Sequence, residues 1–217
     1  MKLFWAFFLG LVIGGFAVQS YYTLIPSTEI FGAFQGQVET IWLDDAEDRE
    51  MELLSSFSYI DPANKTWIAK KGDKINGASI PQVFWTIIGS PYDGAYRKAS
   101  VIHDAACTYK TEPAKEVHRM FYYACRCDGL SESKAKVMYF AVKQFGPDWQ
   151  LVAETRTVMS NGKEVTLTVK KPVQMTKAAA DEADQLEQMK AAIKLIESKN
   201  PSLEELDQLN AAELPKP

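Results

Sequence analysis

Two histidines and three cysteines are all that 217 residues supply of these two side chains. Three cysteines close at most one disulfide and leave a thiol over, which excludes a disulfide framework. Basic charge is not in excess either. Lys and Arg total 24 against 28 Asp and Glu, a net of −4, which argues against a nucleic-acid binder that works by neutralising phosphates. No cysteine stands near the apolar N-terminal run, so a lipoprotein anchor is not expected. No internal repeat and no glycine-rich calcium loop is evident. What is present is apolar: hydrophobic residues make up 47% of the chain and charged ones 24%, enough to build a core and to exclude wholesale disorder.

Composition divides the chain. Residues 3–18, LFWAFFLGLVIGGFAV, carry no charge and follow a single lysine, Lys2. An uncleaved anchor needs about 20 apolar residues. The interfacial stretch to Pro26, with Tyr21 and Tyr22 at headgroup level, reaches that length. A cleaved signal peptide fits the shorter apolar core, with Val18-Gln19-Ser20 before the cut. Both alternatives stay open for residues 1–26, and both put the rest of the chain on the non-cytoplasmic side. Gly10 and Gly14 are simply frequent residue types in such segments. At the other end, residues 176–217 hold five basic and nine acidic side chains. The whole excess of −4 therefore belongs to this tail.

Residues 27–175 pattern as a small α+β domain: a small antiparallel sheet and a three-helix core. Residues 36–43, 51–60 and 65–69 are strand-like, rich in aromatic and β-branched side chains. The acidic run from Asp44 to Glu50 between the first two is expected to be a solvated turn. Helices are expected over Tyr96–Tyr109, Pro113–Cys127 and from Ser131 to Phe145, where Gly146-Pro147 stops the chain. Residues 154–169 read as a hairpin turning on Asn161-Gly162, a pair suited to a two-residue type I′ turn. In the tail, helices are expected from Thr176 to Ser198 and again after Asn200-Pro201. Their narrow apolar stripes leave three options: packing on the domain, pairing with a partner protein, or standing in solvent.

The histidines meet by arithmetic. Lys110-Thr111-Glu112 is a short link, so the two helices it joins run antiparallel as neighbours. His103 lies eight residues before Thr111 and His118 seven after. Their levels then differ by about 1.5 Å along the helix axis. Cys107 and Cys125 are offset by roughly 15 Å on the same count, too far for a disulfide, whose Cα atoms lie within about 7 Å. A zinc site drawn from His103, Asp104 or Cys107, and His118 competes with a plain hydrogen-bonded polar seam, and the spacing satisfies no zinc rule. Ser79 near His103 lacks a nucleophile elbow. Ser79 and Asn76 fit better as side chains bonding a tight loop whose exit Pro81 fixes.

Asn76-Gly77-Ala78-Ser79-Ile80-Pro81, Trp85, Gly89-Ser90-Pro91, Gly94-Ala95-Tyr96, His103-Asp104, Phe121, Met138-Tyr139 and Phe145-Gly146 follow one another in order. The set resembles a domain family of unknown function found in tailed phages, prophages and bacteria. Its hallmarks are DGASIP, a following HD, and AD-x-x-F. The resemblance covers about residues 50–148. Asn76 and His118 stand where the family has carboxylates, which disfavours a hard cation and shifts any site with Asp104 towards softer metals such as zinc. A more distant similarity is to secreted calcium-dependent phospholipases. It implies His103 as general base, Asp104 as calcium ligand, His118 near the position that orients the base, and Asp93-Gly94 offering loop carbonyls.

Two functions are therefore expected as alternatives. The first is a membrane-anchored, or else secreted or periplasmic, phage or bacterial accessory protein with a non-catalytic binding or structural role. The second is a hydrolase at the membrane or cell wall using His103, Asp104 and a divalent cation, calcium or zinc, with His118 as a further ligand. Asn76, Ser79 and Asp93 are the candidate ligand-binding residues. Partners are the membrane, through residues 3–18, and a protein contacting the C-terminal helices.

Overall fold

The computed structural model describes residues 30–43, 50–77, 80–89, 94, 96–161, 163–177 and 180–214. The expected anchor or signal segment, most of the acidic turn, Ser79 and Asp93 lie outside the described residues. Among the described residues, no helix is long and apolar enough to cross a membrane.

The architecture is α+β, but the expected single sheet is three separate antiparallel ones. Strands β1 (Ala33–Gln35), β4 (Phe57–Ile60) and β5 (Thr66–Ala69) form one in the order β1-β4-β5. Strands β2 (Thr40–Trp42), β3 (Met51–Leu53) and β6 (Lys74–Ile75) form a second in the order β2-β3-β6. The split has local causes. Gly36, at φ +87°, ends β1, so the run 36–43 keeps only β2. A bend at Leu54-Ser55 divides 51–60, and its halves pair with different partners. Within each half the alternation holds: Phe57 and Tyr59 point into the core, as do Trp67 and Ala69 across the ladder.

The core is helical. After a single turn, α1 (Trp85–Ile88), come α2 (Arg97–Tyr109), α3 (Ala114–Cys127) and α4 (Glu132–Phe145). Ser131 caps α4 by accepting from Lys134 N–H. Pro113 is the residue preceding α3 rather than its first turn, because it is extended, with ψ 147°. Phe121, Tyr139, Phe140 and Trp149 are fully buried between these helices.

The hairpin is longer than the pattern 154–169. Strand β7 spans Trp149–Ser160 and β8 spans Lys163–Gln174, twelve residues each, with Asn161 at φ +51° in the turn. All of β8 is exposed.

The tail packs on the domain, the first of the three options. Helix α5 runs Glu182–Lys199, starting six residues after Thr176 because Asp181 caps it by accepting from Asp184 N–H at 2.8 Å. Asn200 ends α5 in the left-handed region instead of opening the next helix. Ser202 and Glu205 open α6 (Leu203–Gln208) with a reciprocal capping box. Met189, Ala192, Ile196, Leu203 and Leu206 are buried against the core. Asp207 fastens the end of α6: its carboxylate accepts from Tyr139 and pairs with Arg119 at 2.7 Å and Lys115 at 2.9 Å. Burial pushes the Asp207 carboxyl up, but these three partners outweigh it and hold it below the ordinary range.

Candidate functional site

Helices α2 and α3 bring the two histidines together. His103 Nε2 lies 3.0 Å from His118 Nδ1, and His118 Nε2 lies 3.1 Å from the Pro147 carbonyl oxygen, just beyond α4. A carbonyl only accepts, so His118 Nε2 carries a proton. Burial pushes His118 down to about 3, helped by the nearby Lys177 ammonium and opposed by the bond to Pro147. His118 is therefore neutral near pH 7 and its Nδ1 accepts, which makes His103 Nε2–H the donor. The Phe121 ring packs on His103 at 4.7 Å, and the Trp149 edge meets His118 at 6.2 Å. Cys107, one turn after His103, has its sulfur 3.7 Å from both ring nitrogens of His103. His103 is 0% exposed and His118 2%, so neither ring reaches solvent.

Asp104 faces the other way, towards the Asn76-Gly77 loop. Its Oδ2 accepts from Asn76 N–H at 3.0 Å and from Gly77 N–H at 2.8 Å. Two consecutive amides can converge on one oxygen because Gly77 sits at φ +104°, a conformation a side chain would strain. This is the physical sense of Asn-Gly followed, 27 residues on, by Asp. Asn76 thus enters the site through its backbone amide. Asp104 also borders a cleft of about 240 Å³ between α2 and the β2-β3-β6 sheet. Arg97, Ser100, Val101 and Asp104 line one side of it at three-four spacing along α2, with Val38, Thr40 and Trp42 opposite.

Among the described residues, no group of three or more His, Cys, Asp and Glu is placed to hold a metal ion. His103 and Asp104 are adjacent in sequence but serve different faces of α2. All three cysteines are free and buried. Burial, and then Asp128, push the Cys125 and Cys127 thiols up, which keeps them protonated.

Three contributors carry no signal in the sequence. The Pro147 carbonyl is a backbone acceptor in a segment whose pattern speaks only of a helix stop. Lys177, from the segment after β8, donates to the Lys143 and Gly146 carbonyls at 2.7 Å each, satisfying the open end of α4. Arg97 contributes to the cleft wall from the first turn of α2.

The residues so arranged fall in a known family. The family described as "Protein of unknown function (DUF1353)" matches residues 51–142, and this chain belongs to it. Two curated relatives come from Sinorhizobium fredii (strain NBRC 101917 / NGR234). "Uncharacterized protein y4jT" is 42% identical over 173 residues, covering 74% of this chain and 50% of the relative. "Uncharacterized protein y4iH" is 34% identical over 168 residues, covering 73% of this chain and 68% of the relative. The chain thus spans about half the length of the first. No solved structure matches the chain.

Proposed function

We propose that this chain is a non-catalytic accessory protein, exported or membrane-tethered through residues 3–18 and of bacterial or phage origin, whose domain works by binding or as a structural element. One observation carries the reading: His103 is sealed, with its Nε2–H spent on His118. A hydrolytic base needs a ring nitrogen open to water or substrate, and a fully buried ring offers none. Asp104 supports the same reading. One of its oxygens closes the Asn76-Gly77 loop, so its carboxylate has structural work on the side where a cation would compete for it. The alternative, metal-dependent hydrolysis at a membrane or cell wall, would need His103 and Asp104 to serve one reaction centre, whereas they face different partners. The cleft beside Asp104 and the outer faces of α5 and α6 are the surfaces left for a ligand or protein.

Metal content of the purified full chain tests this, beside the His103→Gln variant. The expected result is no stoichiometric metal in either protein and a loss of thermal stability in the variant. Stoichiometric zinc or calcium in the native chain, lost in a variant that keeps its native circular dichroism, would sink the reading. Export is tested by protease treatment of spheroplasts, which should digest the domain while the cytoplasm stays sealed.

A further inference from the structure

The β7-β8 ribbon has an apolar face that no other described element covers. Directly paired residues of an antiparallel ladder share a face. The register pairs Val152 with Lys171, Glu154 with Val169, Arg156 with Leu167 and Val158 with Val165. One face therefore collects Val152, Val158, Val165, Leu167, Val169 and Val173, each between 37% and 50% exposed. The opposite face carries the Thr155–Thr168 and Thr157–Thr166 pairs at its middle, with Ala153 and Lys170, Leu151 and Pro172 towards the root and Met159 and Glu164 towards the tip. Along β8 the alternation is that of a half-buried strand, with Val165, Leu167 and Val169 on the first face and Glu164, Thr166, Thr168 and Lys170 on the other. A two-stranded ribbon is at best marginally stable alone in water, and apolar surface gathered on one side marks an interaction site.

We infer that a second copy of this chain covers this face, through a symmetric pairing of two ribbons. The charges on the face select the occupant. Glu154 pairs with Arg156 at 2.8 Å and faces Lys171 at 3.8 Å, so a small charged cluster sits midway along the valine stripe. A two-fold axis crossing the ribbon between the 154–169 and 156–167 pairs sets Glu154 against Arg156 of the second copy. The same operation sets Leu167 against Val169 and Val158 against Val152. It also lays Lys171 over Val165 and Lys163 over Val173, where the lysine stems can cover the valines while their ammonium groups reach solvent at the edge. The centre of the face is thus complementary to itself in charge and in apolar content, as an isologous interface requires. A lipid layer fits poorly, because four charged side chains, Glu154, Arg156, Lys163 and Lys171, would be pressed into acyl chains. Twelve residues per strand give a face about 40 Å long and roughly 10 Å wide. Pairing removes on the order of 1,000 Å² summed over both copies, the low end of specific interfaces, so the dimer forms in a concentration-dependent way.

The test is site-specific cross-linking of the full chain in mild detergent, using a bismaleimide of about 10 Å span on Leu167→Cys and, on the threonine face, Thr168→Cys. The native cysteines are buried. Leu167→Cys should give a dimer that forms more fully at higher concentration, and Thr168→Cys should stay monomeric. Adding Glu154→Arg to Leu167→Cys should cut the yield at least tenfold, and further adding Arg156→Glu should restore it. Equal cross-linking at both positions, or at neither, overturns the inference. So does a chain that stays monomeric by sedimentation yet binds anionic vesicles through Leu167, an affinity that Leu167→Lys would abolish.

Discussion

The helical core and the ribbon solve opposite problems with the same chain. In the core, polar groups are buried or half-buried, and several are held by partners from distant segments: His118 by Pro147, Asp104 by Asn76 and Gly77, Asp207 by Lys115, Arg119 and Tyr139. In the ribbon beyond its root, apolar groups are exposed, and the described bonds are those of the ladder and a few surface ion pairs. Buried polar groups are expensive to leave unpaired, so the core is intolerant of single changes. Exposed strands have little to lose on their own account, so changes there should register in association and barely in stability.

The largest effect should come from Asp104→Ala. It strands the buried Gly77 amide and the partly buried Asn76 amide and should cost about 3–5 kcal/mol in urea denaturation; a loss below 1 kcal/mol would mean that the loop does not depend on this carboxylate. Acid should come next. His118 titrates lower in the folded chain, at about 3, than in the unfolded chain. The unfolded state therefore binds the proton first as pH falls below about 6.5. Stability from this group is complete above that pH and declines towards pH 3, by about 3 kcal/mol between pH 7 and pH 4. Urea midpoints across that range should lose this slope in His118→Asn. Asp207→Asn should cost about 1–2 kcal/mol, read as easier proteolysis of α6. The smallest effect on stability belongs to Leu167→Lys, within about 0.5 kcal/mol of the native chain, while dimer formation disappears. If that variant unfolded as readily as Asp104→Ala, the contrast between core and ribbon would fail.

The meeting of His103 and His118 is legible in the sequence because a three-residue link leaves two helices little choice of level. The helix boundaries are legible for similar local reasons: Ser131 and Gly146-Pro147 act on their own turns. What escapes is what depends on distant partners. The 51–60 run looks like one strand, and only the positions of β1, β2, β5 and β6 show that its halves serve two sheets. The acidic tail looks separate by charge, yet its buried stripe and Asp207 join it to α3 and α4 across some 70 to 90 residues of sequence. The amide donors that hold the Asp104 carboxylate are backbone groups of a distant loop, so the His-Asp pair suggests a shared role that the fold divides between two faces.

The root of the ribbon has a mechanical consequence. Where the chain enters β7, Trp149 Nε1–H donates to the Glu112 carbonyl at 2.7 Å, between α2 and α3. Where it leaves β8, Met175 N–H donates to the Asp148 carbonyl at 2.9 Å, and Lys177 grips the end of α4. Both legs are thus clamped beside Pro147, the residue that holds His118. The ribbon, about 40 Å long at the rise of a strand, is thus rooted beside the histidine pair. The backbone from Pro147 to Trp149 that seats the ribbon is the same stretch that seats the His118 ring.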